Sequence, residues 1–238
     1  MSQPSNSYRD WKGWGSQPFG SLDEATKRYF AAELKKAGIR SVNGVRVLEI
    51  GFGNGAFAAW CKDSGARYVG VEAIPELVEA ARHAGVDAHG SKDDLAGVIE
   101  AESLGLIVAF DVFEHLALPE LAELLLRCRN WVASGGILIA RVPSGDSPFG
   151  RAAQHGDLTH RLVLGSSAVS QIAMNTGWEV EAVRSPAFPI GGLGVVAGAR
   201  RLLVSAVRYV CHLFITLALM GGGSPVLTPN MVFVLRRT

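Results

Sequence analysis

The sequence predicts a doubly wound α/β fold around a mostly parallel sheet. From Val45 onward, short apolar runs alternate with helix-length segments, the rhythm of βα units that cover a sheet on both faces. The first of those runs ends in a glycine-rich turn, Gly51-Phe52-Gly53-Asn54-Gly55, which opens directly into a helix. A chain of 238 residues, 48% hydrophobic and 19% charged, has enough material for one such core and too little for two full domains. Residues 1–238 therefore read as a single domain in three stretches, 1–40, 41–142 and 143–238.

The first stretch is an arm followed by a helix. Residues 1–20 are rich in Ser, Gly and Pro and include Trp11 and Trp14, two indoles suited either to a lid over a ligand or to anchoring the arm on the surface. Ser21, with Asp23 and Glu24 behind it, supplies a cap and acids for the positive end of a helix running to Lys36, stopped by Gly38. In the second stretch, strands are predicted at Val45–Ile50, Tyr68–Val71, Val86–His89, Leu106–Phe110 and Ile137–Val142, with helices around 56–64, 75–84, 92–102 and 118–132. Past Val142 the alternation stops. A Gly/Pro/Ser-rich connection (143–161) leads to a helix near Ser166–Asn175, a strand WEVEAV, an apolar helix within 200–221, and a closing strand NMVFVLRR.

The formal net charge of +1 is a cancellation. Residues 1–181 hold 17 basic and 22 acidic side chains, net −5, whereas 182–238 hold six arginines and no acid, net +6. Cys61, Cys128 and Cys211 are widely spaced and odd in number, which excludes a disulfide framework and a CxxC metal site; buried thiols in a reducing cytoplasm are expected. The polar start of the chain lacks the apolar core of a signal peptide.

The chemistry stands at the strand ends, where an open α/β sheet binds its ligand. Glycines after the first strand let the backbone approach a ligand, and the next helix presents its N–H groups. Seventeen residues past Gly55, Glu72 ends the second strand, placed to accept hydrogen bonds from both hydroxyls of a ribose. Strand, glycine loop, helix, strand and terminal acid at this interval point to a nucleoside-containing cofactor. Gly51-x-Gly53-x-x-Ala56 also satisfies a dinucleotide pattern, so an NAD-dependent oxidoreductase and a non-catalytic cofactor-binding subunit are the competing readings.

With Glu49 opening it, ExGxGxG resembles the first motif of class I S-adenosylmethionine-dependent methyltransferases, and the likeness extends over residues 40–238. It takes in Val71-Glu72-Ala73-Ile74, Phe110-Asp111-Val112-Phe113-Glu114-His115-Leu116 and the two closing strands. The resemblance implies a seven-stranded sheet of order 3-2-1-4-5-7-6, the last strand antiparallel, and the apolar helix read from the sequence falls as an insertion before that strand. It implies a cofactor site at Glu49, Gly51, Gly53, Gly55, Glu72, Ala73, Ile74 and Asp111, with Gly51, Gly53 and Gly55 along the methionine part, Glu72 on the ribose and Ile74 on the adenine. In place of an acid near the adenine amine the chain has Gly90-Ser91-Lys92-Asp93, which leaves Ser91 as the candidate.

Asp111, Glu114 and His115 fit three roles. They cap a strand end; or His115 takes a proton from an acceptor hydroxyl; or the trio binds a divalent metal, resembling the ExxEH sequence of ubiquinone-pathway O-methyltransferases. In the long connection, His155-Gly156-Asp157-Leu158-Thr159-His160 resembles the GDxTH loop of methyltransferases associated with bacterial surface polysaccharides. His160 is expected as base or acceptor-binding group, with Asp157 orienting it. The expected acceptor is a sugar hydroxyl on a glycan or its lipid-linked precursor, with a quinone precursor or other small molecule as the alternative.

Leu202–Met220 is apolar enough for a membrane span, but a span would carry Arg208 toward mid-bilayer at about 2.5–3.5 kcal/mol and take the chain away from the sheet that NMVFVL rejoins. Its polar members Ser205, Arg208, His212 and Thr216 make one narrow helical stripe. Helix 202–220 is therefore expected to lie on the domain, on a second copy as a homodimer, or on a membrane as a peripheral contact, and a mean hydropathy of +0.22 with basic flanks favours anionic lipid. Nucleic acid is excluded as a partner, because six arginines without interleaved aromatics or a reading motif give little to bind with.

Overall fold

The computed structural model describes residues 11–14, 17–91, 93, 95–192, 194–219 and 225–238. It holds a seven-stranded sheet of order β3-β2-β1-β4-β5-β7-β6. The strands are β1 (Arg46–Ile50), β2 (Arg67–Glu72), β3 (Ala88–Gly90), β4 (Leu104–Phe110), β5 (Val132–Pro143), β6 (Glu179–Arg184) and β7 (Asn230–Arg236). The first five run parallel, and β7 runs antiparallel between β5 and β6.

Alternation along the central strands explains why both faces are covered. Leu48, Ile107, Ala109, Leu138, Ala140 and Phe233 point to one face, into a core with Leu121, Leu125 and Trp131 of α4 (Leu118–Trp131) and Val169 and Ile172 of α6 (Ser166–Asn175). Val47, Leu106, Val108, Ile139, Val232 and Val234 point to the other, against Phe30 and Leu34 of α1 (Glu24–Lys36) and Phe57 and Cys61 of α2 (Ala56–Asp63). The third and smallest core lies at the β3 edge, where Leu77, Val78 and Ala81 of α3 (Pro75–His83) meet Phe52, Ile74 and Ala88.

Several expectations are corrected. The cap of α1 is Asp23, which accepts the Thr26 N–H at 2.7 Å, while the Ser21 hydroxyl donates to the Pro18 carbonyl. In place of a helix over 92–102 there is one 3₁₀ turn, Leu95–Gly97. Asp93 folds back to accept the Gly90 N–H at 2.7 Å and Gly97 weakens any longer helix; Lys92 lies outside the described residues. The connection after β5 contains a short helix, α5 (Arg151–His155), that the Gly/Pro-rich sequence concealed. The apolar helix α7 (Val195–Ala218) begins seven residues before Leu202, and Met220 and Gly221 lie outside the described residues. Cys61 and Cys128 are buried as expected, but Cys211, on α7, is exposed.

Candidate active site

The parallel strands deliver their C-terminal ends to one edge of the sheet, and the candidate residues collect there. Register pairs Ile50 with Val71 and with Ala109, so Gly51, Glu72 and Phe110 follow at one level, with Asp111 one residue further on. A cavity of about 530 Å³ opens over this edge, lined by Glu49, Gly51, Gly53, Phe110, Asp111 and Arg141 from the sheet side and by Tyr29 of α1 above.

The glycine loop fits a closely approaching ligand. Gly51, Gly53 and Gly55 have φ of +74°, +53° and +76°, which side-chain-bearing residues rarely adopt. A Cβ at Gly51 would strike Val112, one at Gly55 would strike the Phe19 ring, and one at Gly53 would stand 3.1 Å from Trp14. Trp14 and Phe19 also pack on the core of Phe52 and Ile74, so the arm covers the outside of the loop.

Glu49 is buried at the end of β1, and its Oε2 accepts the Tyr68 hydroxyl at 2.6 Å. Burial, with Glu72 nearby and the Tyr68 bond opposing, raises its pKa to about 8. The Glu72 carboxylate accepts three backbone N–H groups: Ala73 at 2.7 Å and Ile74 at 3.1 Å on Oε1, and Gly53 at 2.9 Å on Oε2. Burial raises its pKa, and those three donors oppose the shift. One acceptor direction remains on Oε2 for a hydroxyl. Ile74 is buried against Phe52, and Ser91 is exposed after β3, its N–H bonded to the Glu72 carbonyl at 3.0 Å.

Asp111 has φ +58°, an αL position that Asp tolerates better than most residues. It is held there by β5: Arg141 Nε donates to Oδ1 at 2.8 Å, a second guanidinium N–H donates to Oδ2, and the Asp111 N–H donates to the Arg141 carbonyl at 2.8 Å. The guanidinium lies 5.4 Å from the Tyr29 ring centroid and 5.6 Å from that of Phe110. Burial pulls the Arg141 pKa down, but Asp111 outweighs it, and the net shift is upward. The Tyr29 hydroxyl oxygen is buried with no hydrogen-bond partner among the described residues, beside this pair.

The acceptor-side residues form a separate network. Asp157 Oδ1 accepts the Thr159 N–H at 3.0 Å and the Thr159 hydroxyl at 2.6 Å, and Lys12 of the arm reaches Oδ2 at 3.2 Å. Burial would raise the Asp157 pKa, but the Thr159 and Lys12 contacts dominate and hold it well below the usual carboxylate range. Because the Thr159 proton goes to Asp157, its oxygen accepts from His115 Nδ1 at 2.8 Å, leaving the lone pair on Nε2. Burial, with His160 adding to it, lowers the His115 pKa, so the ring is neutral at pH 7.

His160 packs edge-on against His115, with ring centroids 4.7 Å apart, and its Nδ1 donates to the Gln154 carbonyl at 2.9 Å. Its Nε2 stands 3.8 Å from Asp157 and 3.9 Å from Glu114, beyond hydrogen-bond range, so Asp157 orients Thr159 and His115 in place of the expected His160. Glu114 is buried, its Oε2 has no hydrogen-bond partner among the described residues, and burial together with the Asp111 charge raises its pKa to about 8. One ligand atom from each of Glu114, His115 and His160 lies within 4.8 Å of the others. Asp111, expected beside Glu114 and His115, is engaged by Arg141, and His160 from the connection after β5 lies next to those two instead.

Sequence reasoning missed Tyr29, Tyr68, Arg141 and Thr159 as site residues. Arg141 carried a signal, being the one charged residue inside the otherwise apolar run ILIARVP. Thr159 carried none beyond its place in the GDxTH loop.

A family model described as a methyltransferase domain matches residues 18–183. An uncharacterized methyltransferase of Mycobacteroides abscessus is 30% identical over 139 residues, 56% of this chain and 52% of that protein. A ubiquinone biosynthesis O-methyltransferase of Xanthomonas axonopodis pv. citri is 29% identical over 138 residues, 55% of this chain and 54% of that protein. The chain thus spans about half the length of the curated relatives it matches. A SAM-dependent methyltransferase from Archaeoglobus fulgidus shares the fold, with a TM-score of 0.60 at 16% identity, covering 89% of this chain and 94% of that one.

Proposed function

From the premise that this chain belongs to the methyltransferase-domain family, we propose that it transfers a methyl group from S-adenosylmethionine to an oxygen acceptor, a sugar hydroxyl on a bacterial surface glycan or its lipid-linked precursor. When bound, the cofactor supplies the electrophilic methyl group. The chain's own residues hold it, align the acceptor and take up a proton. Gly51, Gly53 and Gly55 accommodate a close ligand, Glu72 offers its remaining acceptor direction to a ribose hydroxyl, and Ala73, Ile74 and Ser91 flank the adenosine side. Glu49 and the Arg141–Asp111 pair line the cavity floor, where the guanidinium offers charge to a carboxylate.

The single observation that carries oxygen chemistry is the chain Asp157–Thr159–His115. It fixes the tautomer that puts a lone pair on His115 Nε2, and the depressed pKa keeps that nitrogen unprotonated, the state a general base needs. His115 is the proposed catalytic base, Asp157 and Thr159 are positioning residues, and His160 buttresses the imidazole. The ubiquinone-pathway relatives support a quinone precursor or other small molecule as the alternative acceptor. Incubation with labelled cofactor and mass spectrometry should show one added methyl on glycan intermediates; methylation of quinone precursors alone would overturn the glycan assignment. Calorimetry showing no binding of the cofactor or its demethylated product would overturn the reading as a whole.

The unpartnered Glu114 oxygen favours a second reading, in which Glu114, His115 and His160 hold a divalent cation. One carboxylate oxygen and two imidazole nitrogens suit Zn²⁺, Mn²⁺ or Fe²⁺ better than Mg²⁺. Elemental analysis of the purified protein, and a Tm rise with Mn²⁺ or Zn²⁺ that is lost in His160→Ala, separate this from the base reading.

A further inference from the structure

The amphipathicity of α7 is reversed. Its polar stripe faces the protein: Arg201, Ser205, His212 and Thr216 are half-buried, Arg201 donates to the Pro189 carbonyl, and the Arg201 and Arg208 guanidinium carbons lie 4.9 Å and 4.6 Å from the Phe188 ring centroid. Its apolar side faces outward, and none of its residues is buried. Val196 is 84% exposed, Leu203 67%, Phe214 66% and Leu217 69%, values opposite to those of a soluble helix that hides its apolar face. At 100° per residue the outward positions sweep an arc of roughly 200°, with Arg200 as the one charged side chain on it.

We propose that α7 docks this protein flat on an anionic lipid bilayer, its apolar arc in the acyl boundary and its arginines at headgroup level. A span does not fit: Arg184 of β6 pairs with Val232 of β7, so the chain leaves and re-enters the sheet at one place. A second copy fits poorly as well. An opposing helix covers a stripe of roughly 100°, about half the arc. A two-fold contact through the apolar arc would also bury Arg200 of each copy against a face that offers it no acid. Lipid wraps a wide apolar arc, and anionic headgroups answer the arginines.

The docked helix would sit close to the cavity. The segment before it is clamped on α1 by the buried Glu33, which accepts Arg184 at 2.6 Å and the Ala187 N–H, and Gly192 lies against Arg28. The same helix lines the cavity with Ala25, Thr26 and Tyr29. Docking does not depend on which acceptor is methylated, and its test uses no activity.

The full chain is floated with phosphatidylcholine vesicles, with and without phosphatidylglycerol. Flotation is expected only with phosphatidylglycerol present. The variant Leu203→Gln/Val210→Gln/Phe214→Gln/Leu217→Gln should lower the bound fraction by about tenfold or more, while its circular dichroism and its binding of the demethylated cofactor stay unchanged. In a separate Val210→Trp protein, the indole emission should shift to the blue and be quenched by brominated acyl chains. Absence of flotation from both vesicles, an unquenched indole, or a dimer that the quadruple variant dissociates without any vesicle binding overturns the proposal.

Discussion

Glu49 shows how burial sets a pH dependence. Its folded pKa of about 8 stands above the ordinary 4.5, so the folded state binds the proton more tightly than the unfolded chain. Stability from this group is therefore fully present below about pH 4.5, declines as the unfolded chain ionises, and levels off above about pH 8. Denaturant titrations between pH 5 and 8 should show a loss of roughly 3–5 kcal/mol from Glu49, to which Glu114, also raised to about 8, adds, and Glu49→Gln, which keeps an acceptor for Tyr68, should remove Glu49's share of that slope. His115 has the opposite consequence for rate: with its pKa depressed, kcat should rise with pH through a value below 6.5 and then hold level. His115→Ala should lower kcat by about 10²–10⁴-fold. Thr159→Val should displace the pH profile and Thr159→Ser restore it, a readout that packing alone would leave unmoved. The ExGxGxG and Glu72 positions were legible because turn chemistry is local. Arg141 and Thr159 were not, because their roles arise only when β5 pairs with β4 and the 150s loop folds back over His115.

At the scale of elements, the glycine loop and the arm are one steric unit. Gly55→Ala meets both a positive φ and the Phe19 ring, so it should cost about 1–3 kcal/mol in thermal melts and weaken cofactor binding. Adding Phe19→Ala should relieve the clash and leave the φ penalty, a coupling that a double-mutant cycle measures. Trp14, over Gly53, forms one wall of the cavity; Trp14→Ala should raise the KM for the cofactor several-fold with little change in Tm, since the indole is half-exposed. Strand runs and long amphipathic helices were readable from their period. The 92–102 segment was misread because Asp93 and Gly97 favour turns that a count of apolar positions does not register, and α5 because one helical turn is too short to show a period.

For the whole molecule, cofactor binding to the folded state alone should raise the melting temperature by about 5–11 °C at a hundredfold excess over Kd, an increment of about 2.7 kcal/mol. Differential scanning calorimetry with S-adenosylhomocysteine measures this, and the rise should vanish in Glu72→Ala. The division of charge also has a spatial counterpart. The acids of the first 181 residues include those at the strand ends, and three of the tail's six arginines, Arg200, Arg201 and Arg208, stand on the helix whose apolar side faces out. The polar stripe of that helix was visible as a spacing pattern, but the direction it faces depends on Phe188 and Pro189, which no periodicity places.

The position of β7 between β5 and β6 has a consequence for synthesis. In the sheet β6 pairs with β7 alone, and β7 follows α7 in the chain. On the ribosome, β6 and the apolar helix must therefore emerge while the strand that joins them to the parallel sheet is still unmade. Until residues 230–236 leave the exit tunnel, β6 has no ladder and β5 presents an open edge, the kind of unpaired strand through which unfinished chains associate.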